Sequence, residues 1–194
     1  DRSAASPHQD NVYLTWHDGN VMQFARSTDM GQTMSTPLSF GSDPLGIGSD
    51  ISTDSAGNIY YVYASTASGG GVRLLKSTDG GATFAASTQI APLTGRFDFP
   101  IPSMETREAF IYAATDVDSQ DNIYVTFTDE ADDSAGGGNG SAAQNHGVVK
   151  VAKSTDGGAT WNLMPYPHDT SDSLANNPVD RFHPWLMVGE NDAV

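Results

Sequence analysis

The chain has 194 residues, of which 38% are hydrophobic, enough for a packed core. It contains no cysteine, so disulfides, zinc–thiolate sites and a cysteine nucleophile are excluded. Acidic residues outnumber basic ones 24 to 9, for a formal net charge of -15. Nucleic acids and anionic membranes are therefore not expected partners, because both bind clustered Lys and Arg. No apolar run approaches the ~20 residues of a membrane span.

Frequent Gly and Pro, together with short runs of β-branched and aromatic residues, predict an all-β chain of short strands joined by turns. In chain order, we expect strands near 11–16, 21–27, 34–39, 48–53, 58–64, 71–77, 84–90, 109–116, 122–128, 147–154 and 161–166. A twelfth strand is expected at 182–188, where the sequence is typical of the first strand of a further sheet.

Three segments, at 27–34, 77–84 and 154–161, share the pattern S-x-D-x-G-x-T followed by a large apolar residue. The Ser and Asp side chains of this pattern can hydrogen-bond nearby backbone groups and fix a tight hairpin. The Gly supplies backbone angles that other residues avoid. The patterned Ser, Asp and Gly residues are Ser27, Asp29, Gly31, Ser77, Asp79, Gly81, Ser154, Asp156 and Gly158.

These segments and the strands before them resemble the Asp-box, or bacterial neuraminidase repeat, of sialidase-like β-propellers. The resemblance spans residues 12–161. It implies an all-β fold of four-stranded antiparallel blades, with each box between the third and fourth strands. Blades would lie at about 10–45, 46–92 and 108–168, with the first strand of a next blade at 181–188.

A propeller closes with four to eight blades, and the resemblance implies six or seven. Two explanations of the three blades remain open. The chain is either a segment of a longer propeller, or one of two copies that close a six-bladed ring by exchanging their last strands.

In this family the boxes lie on the face opposite the ligand site, which leaves the box residues a structural role. Ligand binding then falls to the long connections near 95–108, 129–147 and 168–181. An arginine fork binds carboxylates, as the arginines of sialidases do. The two arginines of the first connection are therefore candidates for ligand binding, and the alternative is that they form surface ion pairs. Residues near 180 are candidates as well, and the alternative there is a turn that anchors the core. The candidate residues are Arg96, Asp98, Arg107, Asp180, Arg181 and His183.

No catalytic residue can be assigned from the sequence. The sialidase Arg-Ile-Pro motif is matched only by Pro100-Ile101-Pro102, which has no Arg directly before it. Neither the Tyr–Glu nucleophile pair nor the full arginine triad can be matched.

No metal or cofactor is expected, and calcium is the one candidate considered. The histidines lack zinc-site spacing. The acidic run 116–121 has oxygen ligands that suit calcium, but its counterpart at 54–58 favours a hairpin turn. The acidic insert 129–133 could chelate calcium, and a glycosylation sequon begins at Asn139.

The resemblance implies an exported sialidase-like glycoside hydrolase or glycan-processing propeller, extracellular, at the cell surface or in the periplasm. The alternative is a non-catalytic propeller that binds glycans or extracellular proteins. A third possibility is a structural piece of a larger assembly.

Overall fold

The computed structural model describes residues 1–41, 45–67, 69–131, 141–167, 179–189 and 191–194. These residues form an all-β fold of thirteen strands. The helices among them are two three-residue 3-10 turns, at Pro102–Met104 and Ala142–Gln144. No described helix is long and apolar enough to cross a membrane.

Three antiparallel sheets follow one another along the chain, in the strand order of the sequence. The first sheet contains β1 (Val12–Asp18), β2 (Val21–Ser27) and β3 (Leu38–Ser39). The second contains β4 (Gly46–Thr53), β5 (Ile59–Ser65), β6 (Val72–Ser77) and β7 (Thr88–Ala91). The third contains β10 (Ala113–Val117), β11 (Ile123–Glu130), β12 (Gly147–Ser154) and β13 (Asn162–Leu163). A short hairpin of β8 (Asp98–Pro100) and β9 (Glu108–Phe110) separates the last two.

The core lies between the faces of successive sheets. Every residue of β5 and β11 is buried. The strand β5 lies between the first and third sheets, whereas β11 has the second sheet on one side and segment 182–188 beside it. Val62 and Leu74 meet Val125 and Phe127 in one cluster between the second and third sheets. Each such buried side chain contributes about 1.5–3 kcal/mol of hydrophobic stabilisation. The sheets therefore stabilise one another mainly through their faces.

Aromatic side chains fill the space between the first and second sheets. The rings of Phe24 and Phe84 meet edge to face at 4.8 Å, and Phe40 meets Phe84 in the same way at 5.3 Å. Phe84 is the large apolar residue that ends the second S-x-D-x-G-x-T segment. The last residue of this repeated turn therefore packs in the core between the two sheets.

The structure corrects the expected strand at 109–116. Residues 108–110 form β9 and pair with β8, whereas β10 starts at Ala113 and pairs with β11. The break falls at Ile111, whose backbone N–H donates to the carbonyl of Phe97 at 3.0 Å. The loop predicted between the second and third sheets therefore contains a hairpin of its own.

The outermost strands are also shorter than expected. β3 and β13 have two residues each and β7 has four, where runs of six or seven were predicted. Each outermost strand pairs on one side alone among the described residues. A strand with one neighbour makes fewer ladder hydrogen bonds, and a short edge also limits pairing with other chains.

Segment 182–188 differs from the prediction as well, because it pairs with no strand among the described residues. It runs beside the third sheet, where His183 N donates to Thr128 Oγ1 at 3.0 Å and Val188 N donates to Asp116 Oδ2 at 2.8 Å. A strand is defined by its ladder, and no described residue supplies one here.

Candidate functional site

The three S-x-D-x-G-x-T turns have the same internal hydrogen bonds. In the second turn, Ser77 Oγ accepts from Gly81 N at 2.9 Å and donates to Asp79 Oδ1 at 2.8 Å. The carboxylate of Asp79 also accepts from the backbone N–H and hydroxyl of Thr83, at 2.9 and 2.6 Å. The same four bonds occur in the first and third turns. The carboxylates are therefore occupied within their own turns.

These hydrogen bonds lower the pKa of each turn aspartate from 3.8 to about 2. For Asp29 the largest cause is the hydroxyl of Ser27, and for Asp79 and Asp156 it is the hydroxyl of the turn threonine. An acid with so low a pKa stays ionised and is unsuited to proton donation near neutral pH. This environment fits the structural role expected for the box residues.

The third residue of interest in each turn is the glycine two positions after its aspartate. Gly31, Gly81 and Gly158 have φ of +84, +80 and +85°, a region that disfavours residues with a Cβ. A Cβ on Gly81 would lie 2.5 Å from the ring of Phe24 in the preceding sheet. The glycine is thus required by both the turn and the neighbouring sheet.

A second repeated turn lies at the same end of the sheets, between the first and second strands. Asp54 accepts from the backbone and side-chain N–H groups of Asn58 and from the hydroxyl of Tyr60, at 2.7 to 2.8 Å. Asp118 binds Asn122 and Tyr124 in the same way. The acidic run 116–121 is therefore a hairpin turn, as its counterpart at 54–58 suggested.

The opposite end of the sheets carries a groove of about 580 Å³. It lies beyond the start of β6, whereas Ser77 ends that strand at the turn. The groove is lined by residues 65–67 and 69–71 of the β5–β6 connection and by residues 92–93 and 95–98 after β7. Two of the predicted site residues, Arg96 and Asp98, line it.

Arg96 is held by two carboxylates at the rim of this groove. Its Nη2 lies 2.7 Å from Glu108 Oε1, and its Nε lies 3.3 Å from Asp98 Oδ1. The surface ion pair considered as the alternative for Arg96 is therefore present. A hydrogen bond to Asp98, with burial and repulsion from that carboxylate, raises the pKa of Glu108 against the opposing effect of Arg96. The arrangement combines one cation with two acids, one of which holds its proton more tightly than usual.

Arg107 does not join this group. Its residue is exposed, is not part of the groove lining, and makes no ion pair with a described residue. Its backbone N–H donates to Met104 at 2.9 Å, at the end of the 3-10 turn. The structure thus separates two arginines that the sequence placed in one loop.

Asp180 and Arg181 act mainly as anchors. The carboxylate of Asp180 accepts from Ser103 N and Gly147 N, both at 3.1 Å, and Arg181 N donates to Gly147 O at 2.8 Å. These bonds tie the segment before 182–188 to the start of β12. They match the core-anchoring turn that was the alternative interpretation.

His183 lies in a separate small pocket of about 260 Å³ near Gly48 and Trp185. Its ring lies 5.6 Å from that of Tyr112, and its backbone has a φ of +51°. The six candidate residues therefore occupy different places, and only Arg96 and Asp98 share a groove.

Sequence reasoning missed the group that positions this groove. Asp129 is fully buried, and its carboxylate lies 2.8 Å from Lys150 Nζ. It also accepts from the backbone N–H groups of Thr94 and Gly95, at 3.0 and 3.2 Å. The loop that carries Arg96 is therefore fixed to β11 and β12. The signal in the sequence was the position of Asp129, directly after the apolar run 123–128. This acid was instead assigned to the insert that follows.

Asp129 is thus engaged by Lys150, and Glu130 is the buried last residue of β11. Residues 132–133 of the proposed calcium-binding insert lie outside the described residues, as does Asn139 of the sequon. Among the residues that the structure describes, no group of three or more His, Asp or Glu side chains could hold a metal ion.

Comparison with known proteins gives a fold likeness alone. No family model matches the chain, and no curated protein matches it. Among solved structures, the K499G mutant of NanB sialidase from Streptococcus pneumoniae is similar over 81% of this chain, with 13% identity and a TM-score of 0.48. The match covers 21% of the NanB chain, so this chain spans about a fifth of that protein. Likeness at this level defines no family and assigns no function.

Proposed function

We propose that this chain is a segment of a sialidase-like Asp-box β-propeller that binds and processes glycans outside the cytoplasm. The observation that carries the proposal is the contrast between the two ends of its sheets. Three identical turns occupy one end, with carboxylates committed to their own hydrogen bonds. The groove lined by Arg96 and Asp98 lies at the other end, and Glu108 pairs with Arg96 at its rim.

The chemistry of the groove suits a polyhydroxylated ligand. The carboxylates of Asp98 and Glu108 can accept hydrogen bonds from sugar hydroxyls, while the guanidinium of Arg96 can donate to a ring oxygen, hydroxyl or carboxylate. Arg96 Nη1 has no hydrogen-bond partner among the described residues. A rigidly held guanidinium with one free edge is a suitable contact for a single acidic sugar.

The hydrogen bond to Asp98 raises the pKa of Glu108, so of the two carboxyl groups Glu108 is the better suited to donate a proton. Glycoside hydrolysis generally uses a pair of carboxyl groups, one of which acts as the acid. We assign Glu108 as the proton donor and Asp98 as the neighbouring carboxylate. Arg96 would hold the substrate next to them.

The direct test is hydrolysis of a fluorogenic sialoside by the protein, followed in matched variants. We expect Glu108→Gln to lower kcat/KM by about 10²–10⁴-fold, as for loss of a general acid. Glu105→Gln is the control, because Glu105 is an exposed acid three residues away that makes no ion pair with Arg96. Equal activity of the two variants would refute the assignment of Glu108.

A glycan array separates the two functional classes. Arg96→Ala should weaken glycan binding, and Arg107→Ala should not, because Arg107 is exposed outside the groove. Binding that depends on Arg96 without any turnover would establish the non-catalytic alternative. Absence of both binding and turnover would overturn the glycan proposal as a whole.

A further inference from the structure

The hairpin of β8 and β9 has two faces of opposite character. Phe99 and Ala109 form its inner face, and both are fully buried. Asp98, Glu108 and Phe110 alternate with them, because neighbouring residues of a strand point to opposite faces. Asp98 and Phe110 are directly paired across the hairpin, so their side chains lie on the same outer face. An aromatic side chain therefore stands beside the charged groups at the rim of the groove.

Phe110 belongs to a row of three aromatic rings. Its ring centre lies 5.7 Å from that of Phe97 and 6.0 Å from that of Tyr112, and the planes of Phe110 and Tyr112 differ by 25°. Phe97 lines the groove of about 580 Å³, and Tyr112 lines the smaller pocket of about 260 Å³. The row of rings thus begins at one cavity and ends at the other.

Both cavities lie at the same end of the sheets. β10 starts at Ala113, directly after Tyr112, and runs toward the turn that begins at Asp118. That turn lies at the end of the sheets that carries the S-x-D-x-G-x-T turns. Tyr112 therefore lies at the opposite end, which is the end that carries Arg96 and the groove.

The Tyr112 ring contacts two irregular pieces of backbone. One is at Gly48, where the pairing of β4 with β5 shifts register, φ is +65°, and an added Cβ would overlap the Tyr112 ring. The other is at His183, whose ring centre lies 5.6 Å from that of Tyr112 and whose φ is +51°. Register shifts and positive φ values outside glycine are uncommon and concentrate near functional sites. Two departures from regular backbone thus hold one ring in place.

Tyr112 remains open to solvent in this position. It is 38% exposed, although its neighbours Gly48, from the second sheet, and His183, from segment 182–188, are both in place. This exposure therefore belongs to the junction between two described parts of the chain. The Tyr112 hydroxyl makes no hydrogen bond with a described residue. A rigidly held ring with an available polar tip has the form of a ligand contact.

The row of rings suits one face of a sugar. A pyranose has a face of C–H groups, whose hydrogens carry partial positive charge and are attracted to the negative face of an aromatic ring. Its hydroxyls project around the edge of the sugar and can bond with the hydroxyl of Tyr112. Phe97, Phe110 and Tyr112 carry no charge to pair with a carboxylate. The sugar that fits the row is therefore an uncharged one, in contrast to the acidic sugar that Arg96 suits.

We propose that Phe110 and Tyr112 bind an uncharged hexose that is bonded to the acidic sugar held by Arg96. The acidic sugar occupies the groove, and the hexose stacks on the row of rings and bonds with the Tyr112 hydroxyl. The ligand is then a disaccharide or a longer glycan. This inference rests on the proposed glycan function of the groove, and it adds the chemistry of the neighbouring unit.

Calorimetric titration with three probes tests the inference. The probes are N-acetylneuraminic acid, which is an acidic sugar alone, lactose, which contains only uncharged hexoses, and sialyllactose, which contains both. We expect sialyllactose to bind about tenfold more tightly than N-acetylneuraminic acid, the gain typical of a well-formed aromatic contact. Arg96→Ala should weaken the binding of both acidic probes.

Variants of Tyr112 assign this gain to the ring. Tyr112→Ala should reduce the affinity for sialyllactose to that for N-acetylneuraminic acid, whereas Tyr112→Phe keeps the ring and should retain most of the gain. Tyr112→Leu keeps an apolar side chain against Gly48 and should lose the gain without loss of folding. Leu163→Ala is the matched control, because Leu163 is a 54% exposed apolar residue of β13 that lines neither cavity.

Equal affinities of the wild-type protein for the two acidic probes would overturn the inference. An equal loss for both probes in Tyr112→Leu would overturn it too, because that result assigns the ring a structural role. Sialyllactose binding that depends on Arg96 but not on Tyr112 would leave the function of the groove in place and remove the hexose contact. Lactose binding that depends on Tyr112, without binding of either acidic probe, would instead refute the acidic sugar and retain the hexose contact.

Discussion

The two ends of the sheets are built on different principles. At the turn end, each sheet repeats the same local hydrogen bonds between residues two to four positions apart. At the groove end, the loop that carries Arg96 is held by a buried aspartate more than thirty residues away. The first end gains its stability from short-range repetition, and the second from a few long-range contacts. The turn end is therefore alike from sheet to sheet, whereas the groove end differs between them.

Loss of the buried cation should have the largest effect on this comparison. Lys150→Ala leaves the fully buried carboxylate of Asp129 without its ion-pair partner. We expect about 3–5 kcal/mol lower free energy of unfolding, the usual cost of an uncompensated buried charge. Urea denaturation measures this value. The double variant Asp129→Asn with Lys150→Met is the control and should be less destabilised, because neither charge remains.

Loss of one turn carboxylate should cost less, because the other two turns stay intact. Asp79→Ala removes the acceptor of hydrogen bonds from Ser77 and Thr83. At about 1 kcal/mol for each bond, partly offset by solvent, we expect a loss of about 2 kcal/mol. Asp98→Ala, a carboxylate at the groove end, is the matched comparison. If it destabilises the protein as strongly as Asp79→Ala, the proposed difference between the two ends is wrong.

A pair of glycine variants separates the backbone strain of the turn from its packing against the preceding sheet. Gly81→Ala and Gly31→Ala carry the same strain of a positive φ, of +80 and +84°. Of the two, Gly81 has a neighbouring ring, with Phe24 at 2.5 Å from the added Cβ. Gly81→Ala should therefore be less stable than Gly31→Ala by about 1–3 kcal/mol, the cost of overpacking. Equal losses in thermal melts would mean that the Phe24 ring moves aside without strain.

The smallest expected effect is the acid dependence of the turns. The folded-state pKa of Asp79 is about 2, below its ordinary value of 3.8. The resulting stabilisation is fully present above pH ~4 and is lost as the pH falls toward ~2, because the unfolded chain takes up the proton first. Asp79→Asn should therefore show a flatter decline of Tm over this range than the wild-type protein. Parallel slopes would contradict the lowered pKa.

The sequence predicted the turn end well. The spacing of Ser77, Asp79 and Gly81 is sufficient to define the turn, since every partner lies within four residues. The middle strands were also predicted, since their apolar residues are buried in the faces between sheets, whereas the expected inner strand at 109–116 is split between β9 and β10. The lengths of the outermost strands were not, because an edge is set by whatever pairs beside it.

The groove end was predicted only in part. Arg96 and Asp98 were identified from their rarity and chemistry, but their partner Glu108 reaches them through the β8–β9 hairpin, which has no clear sequence signal. Arg107 was grouped with them because it is close in sequence.

The sequence by itself determined the repeated turns, the all-β class and the buried strands, because each depends on residues close together in the chain. The tertiary structure alone decided that Glu108 meets Arg96 through the β8–β9 hairpin, and that the buried Asp129 holds the loop that carries Arg96. Those contacts depend on how hairpins and whole sheets pack together, because their partners lie from twelve to more than thirty residues apart.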